Sequence, residues 1–336
     1  MLCHFSSNSG DCAPSYASVV GDEGCHDSGS ASTSPVDLGV VSVLVCTRNR
    51  PRDLERLLRS LLADSSAESE IIVVDQSDAG PQLPADILLT QRVRHVQTKT
   101  RGKGAAMNEG LRLAQSSYVV CTDDDCEAAP GWIGGMAGLL ASHPRTAPVF
   151  CRVEAPPHDQ TVGYVPQYLP SQERRIRRTL ASCAHRGLGA GMAIRRDVVM
   201  SLGGIDESFG PGARFGSGDD WDLEVRLLMK GWEIFETNRL AITHHGFRTF
   251  AEGRVHAARD WVALGAVASK PVRAGHPALG LMAVYILVVD GLIPIVRDLV
   301  RLRKLKGSGR VWAFCRGFAQ GMSTAVDRST MIYRKS

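Results

Sequence analysis

Tyr118-Val119-Val120-Cys121-Thr122-Asp123-Asp124-Asp125 is the stretch on which the reading of this chain turns. An apolar, β-branched run reads as a buried strand, and this one ends in three adjacent carboxylates. Upstream, Val40-Val41-Ser42-Val43-Leu44-Val45 reads as a strand ending at Thr47. Pro51 then suits the first turn of a helix whose apolar face is Leu54, Leu57, Leu58, Leu61 and Leu62. Ile71 to Val74 is a second strand, ending on Asp75, and Val93 to Val96 a weaker third. A helix is expected from Ala105 to Ala114. This alternation implies an α/β layer built on a mostly parallel sheet. Such sheets bind ligands beyond the carboxyl ends of their strands, where Thr47, Asp75 and Asp123 all fall.

Downstream, residues 155 to 185 read as an irregular insertion, with Pro156, Pro157, Pro166 and Pro170 before the basic run Arg174-Arg175-Ile176-Arg177-Arg178. A glycine-rich turn, Gly187 to Gly191, leads to a short strand and a helix at Arg196 to Leu202. A second glycine-rich loop, Gly203 to Gly218, precedes a helix from Asp219 to Lys230 that stops at Gly231. Glu233 to Phe235 is strand-like, and His244-His245 follows. Residues 251–336 read as a helical extension. Ala278 to Val296 is long and apolar, but Asp290 and Pro294 interrupt it, which favours a packed or interfacial helix over a membrane span. The cations that follow, Arg297, Arg301, Arg303, Lys304 and Lys306, read either as a contact to anionic lipid or as a solvated face.

The 336 residues suit one large domain or two ordinary ones, and 44% hydrophobic composition supports a sizeable core. Residues 1–47 hold no Lys or Arg and carry five acids, so the net charge of +4 leaves +9 for the rest. That mildly basic body suits phosphate-bearing ligands, and no basic stripe with interleaved aromatics argues for nucleic acid. Residues 1–38, rich in Ser, Gly and Asp, read as a disordered tail or as sequence ahead of the true start. The nine cysteines are scattered, odd in number and without a Cys-x-x-Cys, which favours a reducing cytosol; no secretory signal is expected.

Three adjacent carboxylates repel one another unless something compensates. A hard divalent cation bridging protein and diphosphate does so, whereas the bland alternative is an acidic surface turn. Arg101-Gly102-Lys103-Gly104 offers two cations before a helix N-terminus, without the spacing of a Walker loop. Gly218-Asp219-Asp220-Trp221-Asp222 opens a helix with more acid than capping needs, so one carboxylate is a candidate general base. Of His244 and His245, strand alternation turns at most one toward the crevice.

Taken in order, these segments resemble glycosyltransferase family 2, whose fold is called GT-A. The resemblance covers residues 40 to 250 and also includes Gly203-Gly204-Ile205-Asp206-Glu207, Arg226-Leu227-Leu228, Gly231-Trp232 and Gly246. It implies a GT-A domain over 39–250, between the 1–38 tail and the 251–336 extension, the latter in peripheral contact with a membrane. It implies metal-dependent, inverting sugar transfer from a nucleotide-diphosphate sugar to a hydroxyl acceptor: a lipid-linked sugar, a polysaccharide or a small molecule. The setting would be polysaccharide, glycolipid or cell-envelope biosynthesis, in the cytoplasm or at the inner face of the membrane. Thr47, Arg48, Arg50, Asp75, Arg101, Lys103, Asp123 and Asp124 would bind the nucleotide-sugar. Asp125 with His244 (or His245) would hold Mg²⁺ or Mn²⁺. Asp220 would be the catalytic base, with Gly191, Asp219 and Trp221 on the sugar and acceptor side. Two departures stand out: Asp219 replaces the usual Glu, and Ala106-Met107-Asn108 lacks the usual Arg. The rivals are a sugar nucleotidyltransferase on a related fold and an inactive nucleotide-sugar binder.

Overall fold

Four parallel strands, three of them buried on both faces and the fourth at the sheet edge, form one half of the sheet in the computed structural model, which describes residues 15–16, 38–80, 82–179, 182–301 and 308–334. Val93–Gln97, Ser69–Asp75, Val41–Thr47 and Tyr118–Asp123 lie side by side in that order, all parallel. Val43, Val45, Ile71, Val73 and Val120 have no exposed surface, which is why these strands read as continuous apolar runs. The register sets Thr47 opposite Asp75 and Cys46 opposite Asp123, so one edge collects the chemistry.

Beyond Tyr118–Asp123 the sheet continues with Met192–Arg195, antiparallel to both neighbours, and then Thr146–Glu154. The helix Trp132–Ser142, absent from the sequence reading together with Thr146–Glu154, packs Trp132, Ile133, Met136 and Leu140 onto this half. Glu233–His244 runs the full 12 residues where only its first three looked strand-like. It pairs with Thr146–Glu154, slips register between Glu236 and Ala241, and ends against Cys126–Ala128 with His244 opposite Cys126. That slip delivers His244 to the acidic turn.

The helices Pro51–Ala63 and Lys103–Leu113 cover the parallel half, and the basic run of the insertion has a structural use. Arg174–Ile176 pairs antiparallel with the Glu233–His244 strand, with Arg174 on Glu236 (2.9 Å) and Arg177 on Glu233 (3.0 Å). The extension is helical as expected: Phe250–Arg273, opened by a capping box of Thr249 and Glu252, then Gly280–Ile286, Ile293–Val300 and Ser308–Met322. Of the N-terminal tail only Ser15–Tyr16 and Leu38 are described; the two-residue strand pairs with Gln167–Tyr168, and the rest lies outside the described residues. Cys46, Cys121, Cys126, Cys151 and Cys315 are free thiols.

Candidate active site

The strand ends at Asp123, and Asp124 and Asp125 form the turn into Cys126–Ala128. Asp124 turns inward: it is 5% exposed and accepts from Thr47 Oγ1 (2.7 Å) and Arg50 Nη1 (3.1 Å). Burial pushes its carboxyl up to about 6, against Arg50. The expectation that Asp124 contacts nucleotide is therefore replaced by an internal role: it ties Thr47 and Arg50 to the strand end. Asp123 and Asp125 point to the other side. Asp125 accepts from Arg50 Nη1 (3.0 Å), and its other oxygen lies 3.2 Å from His244 Nε2. Burial alone would raise Asp125, but His244 and Arg50 outweigh it and hold its carboxyl below the usual range.

His244 and His245 separate as alternation requires. His244 is buried, and its Nδ1 donates to the carbonyl oxygen of Pro166 (3.2 Å), leaving Nε2 toward the carboxylates. His245 points away to Glu127 (3.1 Å). Asp123, Asp125 and His244 each offer a ligand atom, all within 4.8 Å of one another. Two further observations fit a cation there. Asp125 Oδ1 is buried yet makes no hydrogen bond, His244 Nε2 being close but out of alignment. Gly246 leaves a hollow against them: an added Cβ would fall 2.5 Å from His244 Nε2 and 3.0 Å from Asp125 Oδ2. Carboxylate oxygens with one imidazole suit Mg²⁺ or Mn²⁺. Gly246→Ala, at a position without a left-handed backbone, is expected to weaken Mn²⁺ binding by roughly tenfold or more. Isothermal titration with Mn²⁺ alone reads it; an unchanged affinity would remove Gly246 from the site.

Lys103 joins this group to a second set of acids. Its Nζ lies 2.5 Å from Asp123 and 3.9 Å from Asp219. Burial pulls its ammonium down, but Asp123 and Asp219 outweigh that and hold it well above its ordinary value. The Asp219–Met229 helix starts at Gly218, whose left-handed φ of 81° turns the chain into it. Asp220, the second residue of that helix, accepts from its own helix's Trp221 N–H (2.8 Å) and from Gly189 N–H (3.1 Å). Burial first, then the neighbouring charges of Asp219 and Glu224, push its carboxyl up to about 7.

The nucleotide side is an open groove. Thr47, Asn49, Arg50, Asp75 and Ser77 line one part, and Arg48, Gln76, Thr98 and Arg101 another. Asp75 accepts from Ser77 N–H (2.7 Å) and meets His95 Nε2 (3.0 Å). Asn49 takes a left-handed φ of 57° and holds the loop by exchanging hydrogen bonds with Asp78.

Two sugar-side expectations change. Trp221 is 2% exposed, in the core beneath the guanidinium of Arg186 (5.6 Å), so it supports the helix rather than lining the crevice. Gly191 faces Cys151, Val153 and Ile242, a packing contact; Gly189 is the member of that turn beside Asp220 and Lys103. Behind the helix, Glu224 accepts from Gly187 N–H (2.7 Å) and meets His185 Nδ1 (2.5 Å), and His185 also meets Glu236 (3.0 Å). Burial alone would lower the His185 imidazole, but these two carboxylates push it up to about 9. The turn and the Asp220 helix are thereby fastened together.

Comparison with known proteins follows this geometry. The mannosyltransferase PcManGT from Pyrobaculum calidifontis, solved with GDP-Man and Mn²⁺, superposes with a TM-score of 0.53 at 16% identity, covering 84% of this chain and 87% of that one. TarS 1-349 from S. aureus gives 0.51 at 17% identity, covering 74% and 66%. These likenesses show the fold, which is GT-A. Residues 42–203 match glycosyl transferase family 2. Among relatives, the pre-mycofactocin glycosyltransferase of Mycobacterium tuberculosis is 26% identical over 247 residues, 70% of this chain and 48% of that protein. The beta-monoglucosyldiacylglycerol synthase of Trichormus variabilis is 25% identical over 208 residues, 59% and 43%. The chain thus spans about half the length of these relatives.

Proposed function

We propose that this chain transfers a sugar from a nucleotide-diphosphate sugar to a hydroxyl acceptor, with inversion and with Mg²⁺ or Mn²⁺ at Asp125 and His244. One observation carries the reading: a carboxylate near neutrality, Asp220, sits across Lys103 from a cluster of Asp123, Asp125 and His244. Asp220 takes the proton of the acceptor hydroxyl. The acceptor oxygen bonds the anomeric carbon from the face opposite the diphosphate, the carbon–phosphate-oxygen bond breaks, and the nucleoside diphosphate leaves with the electron pair. A divalent ion, when bound, offsets charge on that diphosphate. Lys103 adds a fixed cation beside it, and Asp123 takes the ribose in this reading. Thr47, Asp75, Arg48, Arg50 and Arg101 border the groove that takes the nucleotide. The names of the relatives, both sugar transferases or synthases of a glycolipid, support the reaction class. The acceptor is a lipid-linked sugar, a polysaccharide end or a small molecule, met in the cytoplasm or at the inner face of the membrane.

The test is incubation of the full chain with a panel of nucleotide-sugars and Mn²⁺. Release of nucleoside diphosphate supports transfer; formation of nucleoside triphosphate and sugar 1-phosphate, and only when pyrophosphate is added, would identify a nucleotidyltransferase instead. The raised Asp220 carboxyl adds a pH signature. A base acts only when ionised, so kcat/KM is expected to climb through an acid limb near Asp220's value of about 7 and to level off above it. A limb confined to the ordinary carboxylate range would take the proton-accepting role from Asp220.

A further inference from the structure

The helical stretch Pro277–Val300 is long and apolar enough to cross a membrane by length and composition, yet its packing argues against crossing. Met282, Ala283 and Ile286 are buried against the body, and Asp290 is ion-paired to Arg186 at 2.8 Å. A spanning helix would have to abandon that buried pair. The opposite side has no cover: Leu281 (59%), Val284 (55%), Val288, Leu292, Val296 (56%) and Leu299 (59%) are exposed at helical spacing. A continuous apolar strip of this length is unusual on a protein surface facing water. Its far end is cationic. Arg297 and Arg301 are both exposed there, beside the half-buried carboxylate Asp298. On the next helix, Val311 sits against Gly291, its neighbour Trp312 is 66% exposed, and the Arg316 guanidinium lies 5.7 Å over the Trp312 ring.

We propose that this face lies in the plane of an anionic lipid bilayer, with Leu281, Val288, Leu292 and Val296 entering the acyl boundary and Arg297 and Arg301 meeting the headgroups. Charge complementarity selects this occupant. A second copy of the chain would bring one cationic end near another, whereas an acidic membrane surface answers both halves of the strip. The exposed indole beside an arginine is the kind of group that settles at a membrane–water interface. This inference does not rest on the transfer reaction, and its test reads binding rather than turnover.

The full chain is sedimented with phosphatidylcholine vesicles made with and without phosphatidylglycerol. Binding is expected only with the anionic lipid, reversed by high salt. The paired substitution Val288→Glu and Leu292→Glu is expected to weaken it by roughly tenfold or more. Arg297→Glu with Arg301→Glu should do the same through the charge alone. Both variants alter exposed positions, and an unchanged thermal midpoint confirms the fold. Brominated lipid should quench fluorescence in the wild type and much less in Trp312→Phe, a readout independent of those variants. No vesicle binding, binding indifferent to either pair, or a dimer that Leu292→Glu dissociates would each overturn the proposal. Extraction from vesicles only by detergent would overturn it in favour of a span.

Discussion

Asp220→Asn is expected to lower turnover by about two to four orders of magnitude while leaving donor binding in place. Asp220 sits at the start of the Asp219–Met229 helix, where both of its oxygens are held by backbone N–H groups, those of Trp221 (2.8 Å) and Gly189 (3.1 Å). The carboxylate is thus oriented without help from substrate. The amide keeps one oxygen acceptor and nearly the same shape, but it cannot take up a proton at neutral pH. It also forfeits one of those two backbone bonds, a loss of about 1 kcal/mol in stability, small beside the kinetic effect. Donor binding depends on the other side of Lys103, at Asp123, Asp125, His244 and the groove beside Thr47 and Asp75, so a nucleotide-sugar titration should give a similar Kd for both proteins. Single-turnover rates measured with saturating donor separate the two quantities. Retained turnover in Asp220→Asn would move the base elsewhere, Asp219 being the nearest carboxylate.

That the acid triple falls at the sheet edge and that Asp220 opens a helix were readable in the chain; how the three acids are divided was not. Strands such as Ser69–Asp75 and Tyr118–Asp123 are buried on both faces, so their identity is written in unbroken runs of Val and Ile. A polar residue directly after such a run has one place to be, the sheet edge, and this is why Thr47, Asp75 and Asp123 could be placed. Asp123, Asp124 and Asp125 are the same letter, and only the buried hydrogen bond from the Thr47 hydroxyl to Asp124 tells the internal member from the other two. His244 and His245 posed the same problem. Alternation said that one would face in, but choosing between them needed the register of His244 against Cys126, set by a slip four residues earlier in the strand. Trp132–Ser142 escaped notice because it is apolar nearly all round and holds Gly134, Gly135 and Gly138, which blur helical periodicity. The pairing of Asp290 with Arg186, 104 residues apart, left no local trace. Asp290 looked like an interruption of an apolar helix, and it is instead the side chain that fastens the helix down.

The largest stability effect is expected at a residue that carried no sequence signal at all. Lys270, near the end of the Phe250–Arg273 helix, is 1% exposed, and its Nζ meets Asp206 (2.6 Å) and Asp222 (2.5 Å). The ammonium also lies 4.8 Å from the ring centroids of both Phe209 and Tyr333. Asp222 is held in addition by Arg226 (2.8 Å), and Asp206 by the Tyr333 and Ser208 N–H groups (2.8 and 2.9 Å). The cluster joins the extension to the Asp219–Met229 helix and to the loop before it. Lys270→Met keeps most of the stem's volume and removes the charge, leaving two buried carboxylates with one cation between them. Breaking a buried pair in this way costs about 3–5 kcal/mol. The sign of the pH dependence follows from Asp206. In the wild type, burial raises its carboxyl but Lys270 outweighs this and holds it below the ordinary value, so its contribution is present at neutral pH and is lost as pH falls through that lowered value. Without Lys270 burial prevails, the carboxyl rises above its unfolded value, and the variant instead loses stability as pH increases from acid to neutral. The gap between wild type and Lys270→Met in urea unfolding should therefore be widest near neutrality and narrow toward the acid side. Adding Asp206→Asn to Lys270→Met should recover part of the loss and flatten its pH dependence, because the uncompensated carboxylate is then gone. A gap that is constant with pH, or no recovery in the double variant, would mean that Lys270 acts through its packed stem and the two aromatic rings rather than through its charge.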